Sequence, residues 1–201
     1  MGGFLMEFLT LEHFDPAGTL VISVDINNGF CRSGALASSR IEKLIPGTAA
    51  FLESALRRGF PVVAFTDTHP EDSPEFAGYP PHCLATSEES RLVDELAFLY
   101  VTAGAEVLPK NSTNGFFSMR DSHLQDYGTY IITGCCTDIC VHQLAVTLKA
   151  YFNERNVNKE VIAVRELIDT FDGPDHPAGA LNDIFFASMA ANGIKVVDRI
   201  G

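Results

Sequence analysis

Basic residues are scarce in this 201-residue chain: 14 Lys+Arg stand against 26 Asp+Glu, a formal net charge of −12 at pH 7. No local basic cluster offsets that balance, so neither nucleic acid nor an anionic membrane is expected as a partner. Long apolar runs are missing too, and no segment approaches the length that crosses a bilayer. The N-terminal stretch MGGFLMEFLTLEHF has no basic region ahead of it and is interrupted by Glu7, Glu12 and His13, so no secretory signal is expected. Met6 stands where a myristoylation signal has Ser or Thr. Cysteines number 5, an odd count, which argues against a disulfide framework and for a reducing cytoplasm. There is no CxxC, since three residues separate Cys136 from Cys140, and that weakens a thioredoxin-like role. A glycine-rich phosphate loop is also absent, so no organic cofactor is expected. No repeat, low-complexity tract or linker divides the chain. With 46% hydrophobic and 20% charged residues it reads as one globular domain over 19–201, preceded by an irregular leader over 1–18.

What is present alternates between two periodicities. Compact β-rich runs at 19–25, 61–67, 105–110, 129–133, 160–164 and 194–197 are separated by helical patterns. The helices are expected from near Pro46 to Arg58, over Glu88–Phe98, from about Asp138 to Phe152, and over Ala178–Asn192. Strands separated by helices imply βαβ crossovers: an α/β fold of three layers, α/β/α, around a parallel sheet. Ligands of such sheets bind at the carboxyl ends of the strands.

Reactive side chains fall at those ends. Asp25, Asp67 and Lys110 close the first three runs, and Cys140 follows the fourth. Cys140 lies in the first turn of a helix that Thr137 or Asp138 can cap, where the positive end of the dipole favours a thiolate. An ammonium beside the thiol and a carboxylate to carry its proton make a nucleophilic acyl-transfer set from Lys110, Asp25 and Cys140. The loop after the second run offers Asp67, His69, Glu75 and His82, a mixed carboxylate and imidazole set suited to Zn, Mn or Fe. Glu71 and Asp72 are rivals to Glu75. Cys83 is expected to be a packed thiol. Of the remaining histidines, His142 reads as surface or interface, His176 as a brace for its loop, and His13 and His123 have no evident partner. Asp138 reads as a cap and turn brace.

Three motifs carry a resemblance. Asp25-Ile26-Asn27-Asn28-Gly29-Phe30, Lys110 with Asn111 to Phe117, and Gly134-Cys135-Cys136-Thr137-Asp138-Ile139-Cys140-Val141 resemble the catalytic segments of the isochorismatase-like superfamily of cysteine hydrolases. The segment Asp67-x-His69 to Tyr79-Pro80-Pro81-His82-Cys83 resembles the metal motif of its nicotinamidase branch. Tyr79 stands where many of that branch carry Trp, a residue this chain lacks altogether. The resemblance implies a six-stranded sheet in the order 3-2-1-4-5-6 and a cis peptide between Cys135 and Cys136. It also implies one divalent metal, zinc foremost, on Asp67, His69, Glu75 and His82. Asp25, Lys110 and Cys140 would be catalytic, the Cys136 and Cys140 N–H groups would form an oxyanion hole, and Phe30 and Tyr79 would flank the substrate. The implied reaction is hydrolysis of nicotinamide to nicotinic acid and ammonia through a thioester on Cys140. The partner would be a small aromatic amide, with self-association into a homo-oligomer left open. Two alternatives stand beside it: a metal-free amide or ureido hydrolase of the same superfamily, and, more remotely, a thiol redox or metal-binding module.

Overall fold

In the computed structural model the alternating runs become a parallel sheet held between two helical layers. The structure describes residues 7–201. In chain order the strands are β1 (Phe8–Leu9), β2 (Thr19–Val24), β3 (Val62–Asp67), β4 (Ala105–Lys110), β5 (Thr129–Cys135), β6 (Glu160–Asp169), β7 (Lys195–Val197) and β8 (Arg199–Ile200). The α-helices are α1 (Asn28–Cys31), α2 (Ser39–Glu42), α3 (Ile45–Arg57), α4 (Asp121–Gln125), α5 (His142–Glu154) and α6 (Ala178–Ala191). Strands β2 to β7 form one parallel sheet in the order β4-β3-β2-β5-β6-β7. Counted within that sheet, this is the expected order 3-2-1-4-5-6.

Every residue of β2 and β3 is buried, as a strand covered on both faces requires. Successive side chains point to opposite faces. Val21, Ala64, Ile131 and Ile162 meet Leu52 and Ala55 of α3 on one side. Ile22, Val63, Ile132 and Ala163 meet Leu144, Leu148 and Phe152 of α5 and Phe186 and Met189 of α6 on the other. These two slabs of packed side chains hold the strand ends in fixed positions. No helix among the described residues is long and apolar enough to cross a membrane.

Local structure departs from the sequence reading in four places. Residues 1–6 of the leader lie outside the described residues. The rest of it is less irregular than expected, because Phe8–Leu9 pair in parallel with Arg199–Ile200. Glu88–Phe98 is not one helix. It is two 3-10 turns, Glu88–Ser90 and Asp94–Tyr100, because Leu92 bridges Asn27 and the Val93 N–H donates to the Ile26 carbonyl, which draws the chain out between them. The strand expected to stop at Val164 continues to Asp169. Arg165 and Glu166 hide its second half in the sequence, yet Ile168 and Asp169 pair with Gly134 and Cys135 after a register shift. Finally, the start of the Cys140 helix is a wide π turn, Thr137–Val141, that no side chain caps. Asp138 turns instead to Thr170 and His176.

Candidate active site

The carboxyl ends of β2, β3, β4 and β5 converge, and the four side chains read from the sequence meet there. Asp67 and Lys110 are direct register partners across β3 and β4. Asp25 follows β2 with a left-handed φ of 55°, a conformation that Asp tolerates better than most residues and that clusters at functional sites. Lys110 is the hub. Its Nζ lies 2.8 Å from Asp25 Oδ2 and 2.7 Å from Asp67 Oδ1. It also donates to the Ser112 carbonyl at 3.0 Å and reaches Cys140 Sγ at 3.9 Å. All four residues are buried. The Cys135–Cys136 peptide is cis, as the resemblance implied.

One ammonium between two buried carboxylates sets the electrostatics. Burial disfavours the charge on Asp67, but Lys110 and hydrogen bonds from two imidazoles outweigh it and hold this carboxyl well below the usual carboxylate range. Burial dominates at Asp25 despite Lys110 and pushes its carboxyl up to about 6. Of the two, Asp25 is therefore the one poised to take up a proton. Burial would lower Lys110, yet the two carboxylates hold it well above its ordinary value, so it stays charged. Cys140 corrects the sequence reading. Burial pushes its thiol well up, and the nearby Lys110 charge opposes this without overcoming it. The resting group is a thiol, and its attack must be coupled to proton transfer.

That balance predicts alkylation behaviour. The thiolate is the reactive form, so a raised pKa means that iodoacetamide labelling of Cys140 should still be accelerating with pH at pH 9. Lys110→Met removes the main charge favouring the thiolate and should move the labelling curve further to alkaline pH, provided that circular dichroism shows a folded protein. Superimposable labelling curves would show that the ammonium does not act on the thiol.

A second cluster adjoins the first through Asp67. Asp67 Oδ2 lies 2.9 Å from His69 Nε2 and 3.0 Å from His82 Nε2. Ligand atoms of Asp67, His69 and His82 all fall within 4.8 Å of one another, so these three could hold a metal ion. The outer nitrogens support that use. Nδ1 of His69 faces Asn111 Oδ1 at 2.8 Å, and Nδ1 of His82 faces the Pro80 carbonyl at 2.8 Å. With a metal bound, each acceptor would hold the proton on Nδ1 and free Nε2 as the inward ligand, in place of the Nε2–H bonds to Asp67, as metal-bound histidine usually requires. Glu75 Oε2 is 3.6 Å from His69 Nε2, while its Oε1 accepts the Thr113 N–H at 2.7 Å. Of the three acidic residues weighed as the third ligand, Glu75 approaches His69, yet it lies outside the three-residue cluster of Asp67, His69 and His82.

Both clusters open into one cavity of about 440 Å³, lined by Phe30, Tyr79, Glu75, His82, Cys136 and Cys140 among others. That volume suits a small organic ligand. Phe30 and Tyr79 lie with ring centroids 5.7 and 6.0 Å from the His82 ring. The sequence reading missed Thr113, Asn111, Phe171, Asp172 and Ser73, whose Oγ lies 3.2 Å from His69 Nδ1. Asn111 and Thr113 follow Lys110 directly and could have been found by asking what orients the histidines. Phe171 and Asp172 were hidden because the strand that delivers them was ended too early. Cys83 is a packed thiol as expected, with burial pushing its pKa well up. His142, read as surface or interface, is half-buried where α5 meets α6: it bonds Ser188 Oγ and packs edge-on against Phe185.

A parallel α/β sheet whose strand ends gather an acid, a cation, a thiol and a metal-type cluster defines a hydrolytic α/β enzyme. Residues 19–190 match the family model described as Isochorismatase domain. Nicotinamidase 1 of Arabidopsis thaliana is 32% identical over 190 residues, covering 86% of this chain and 77% of that protein. Among solved structures, N-carbamoylsarcosine amidase from Thermoplasma acidophilum has a TM-score of 0.70 at 26% identity, covering 89% of this chain and 95% of that one. The pyrazinamidase of Pyrococcus horikoshii in complex with zinc shares the fold, with a TM-score of 0.70 at 21% identity over 90% of this chain and 98% of that one. The chain belongs to the isochorismatase family. Within it the protein is an amidohydrolase, a hydrolase acting on an amide C–N bond.

Proposed function

We propose that this amidohydrolase converts nicotinamide and water to nicotinic acid and ammonia through a thioester on Cys140. The observation that carries the reading is the position of Lys110 Nζ, within 4 Å of Asp25, Asp67 and Cys140, the last two of which line the small-molecule cavity. Asp25 takes the thiol proton as Sγ attacks the carboxamide carbon. Lys110 stays charged and offsets the negative charge that the proton transfer creates on sulfur. The N–H groups of Cys136 and Cys140 receive the tetrahedral oxyanion. Asp25 then returns the proton to the departing nitrogen, and ammonia leaves. In the second half Asp25 deprotonates a water that attacks the thioester carbonyl, and Cys140 recovers its proton as nicotinic acid is released. Phe30 and Tyr79 flank the aromatic ring.

Asp67, His69 and His82, with Glu75 beside them, are the residues that would hold a divalent metal. The mixed carboxylate and imidazole donors fit zinc, the metal in the Pyrococcus pyrazinamidase, and also manganese or iron. Such an ion would supply a Lewis-acid anchor for a ring nitrogen of the substrate. All five cysteines are free thiols, which suits a reducing cytoplasm. The likeness to N-carbamoylsarcosine amidase favours one second reading, an amide or ureido hydrolase using the same three catalytic residues, for which no metal need be invoked.

Paired substrates separate the two readings. Nicotinamide and benzamide differ by one ring nitrogen, so ammonia release should fall on the order of 10²- to 10⁴-fold on benzamide if a polar partner waits for that nitrogen. Chelation, His69→Ala or His82→Ala should shrink the preference while leaving Cys140 open to alkylation. Equal rates on both amides, or a protein that binds no metal on reconstitution, would favour the metal-free hydrolase.

A further inference from the structure

We infer that Phe171 is a specificity-determining wall of the substrate cavity and that His176 is the positioning residue that holds it there through Asp138. The inference rests on the reading of Cys140 as the reacting group in this cavity and adds to it what limits the size of the substrate.

The wall is made by the far end of β6. Because Ile168 and Asp169 pair with Gly134 and Cys135, the strand ends beside the turn that carries Cys140. The next three residues, Thr170 to Asp172, pass along that turn, and Phe171 lines the same cavity as Ile139 and Cys140. Nothing in a loop of composition FDGPDHP would fix an aromatic ring in place by itself. Four contacts do so here. Thr170 Oγ1 donates to Asp138 Oδ1 at 2.5 Å. His176 Nε2 lies 2.8 Å from Asp138 Oδ2, and its Nδ1 lies 3.0 Å from the Phe171 carbonyl. Its ring stacks on the Phe171 ring, with centroids 3.7 Å apart and planes 11° from parallel.

The arrangement is specific to an imidazole. Both ring nitrogens face acceptors, one on the Cys140 turn and one on the Phe171 backbone, while the ring face supports the phenyl group. The loop is closed behind His176 by reciprocal backbone hydrogen bonds between Gly173 and His176. Asp172 Oδ1 accepts the Ala178 N–H at 2.9 Å and ties the loop to the start of α6. Asp138 therefore joins the nucleophile's own turn to this wall, so wall and nucleophile keep a fixed spacing. A phenyl wall held beside the nucleophile restricts the bulk of the ring that can reach Sγ.

The test reads access to Cys140 directly. Wild type, Phe171→Ala and His176→Ala are alkylated in parallel with iodoacetamide and with the bulkier N-phenyl iodoacetamide, and labelling of Cys140 is followed by fragment mass spectrometry. Both variants should raise the ratio of bulky to small reagent rates on the order of tenfold, the discrimination an apolar pocket exerts through shape. In steady-state assays both should raise KM for nicotinamide more than they lower kcat, and both should gain activity on quinoline-3-carboxamide. An unchanged ratio in Phe171→Ala overturns the wall. A raised ratio in Phe171→Ala with a wild-type ratio in His176→Ala overturns the positioning role. Should Phe171→Ala fail to fold, Phe171→Leu gives the same comparison with a smaller opening. If the wild type releases no ammonia from nicotinamide, the proposed reaction falls, and the alkylation ratios still decide the wall.

Discussion

Cys140→Ala should lower ammonia release from nicotinamide on the order of 10⁴- to 10⁶-fold, to the residue of catalysis that binding and an oxyanion site give without a nucleophile. The effect is large because Cys140 is the thiol that lies against the Lys110 ammonium, at 3.9 Å. Cys135 and Cys136 also line the cavity, but the Cys135 thiol donates to the Asp25 carbonyl, and Cys136 is assigned a role through its backbone N–H. The remaining thiols serve as controls. Burial pushes Cys31 up to about 12 and Cys83 higher still, so neither ionises near neutrality. Cys31→Ala and Cys83→Ala should keep most of the activity, and losses there should track stability. Rapid-quench trapping followed by intact-mass measurement should detect an acyl adduct in wild type and none in Cys140→Ala. Near wild-type turnover by the alanine variant would exclude the covalent route.

Gly134→Ala should be the most damaging single methyl group in the fold. Gly134 has φ 112°, and a Cβ built there would lie 2.0 Å from the Val24 carbonyl oxygen and 2.6 Å from the Val24 nitrogen. Those atoms are backbone of the central strand β2, directly in register with Gly134, and cannot rotate aside. The expected loss is about 3 kcal/mol or more, from left-handed strain together with strand separation. Gly59→Ala isolates the first part. Gly59 has φ 85° with nothing within 4 Å of the added carbon, so it should cost only about 1 kcal/mol. Urea denaturation of both variants measures the difference. A Gly134→Ala protein as stable as Gly59→Ala would mean that β2 and β5 can separate at no cost.

The site was legible in the sequence to the extent that strand ends are. Asp25, Asp67 and Lys110 each terminate an apolar run, and a parallel sheet turns such ends into neighbours whatever lies between them. Lys110 as the shared partner of both carboxylates was not legible, because register between β3 and β4 is fixed by packing. The same limit hid the protonation state of Cys140. A helix start and a lysine are visible in sequence, and both favour a thiolate, but the burial that opposes them is set by residues from every strand. β6 shows the limit of periodicity. Its polar middle reads as a strand end, although pairing with the Gly134 segment carries it five residues further and delivers Phe171 to the cavity. Short 3-10 turns at 88–100 likewise mimic helical spacing while their middle is held extended by Ile26 and Asn27.

The sheet order has a consequence for how the enzyme comes into being. Asp25, Asp67 and Lys110 are supplied by β2, β3 and β4, which lie side by side and are made first along the chain. The nucleophile arrives from the other flank of β2, with β5, and the seam is closed where the Cys135 thiol donates to the Asp25 carbonyl at 3.1 Å. The acid and the cation thus come from one half of the sheet and the sulfur from the other, so reactivity at Cys140 requires the two halves to be joined.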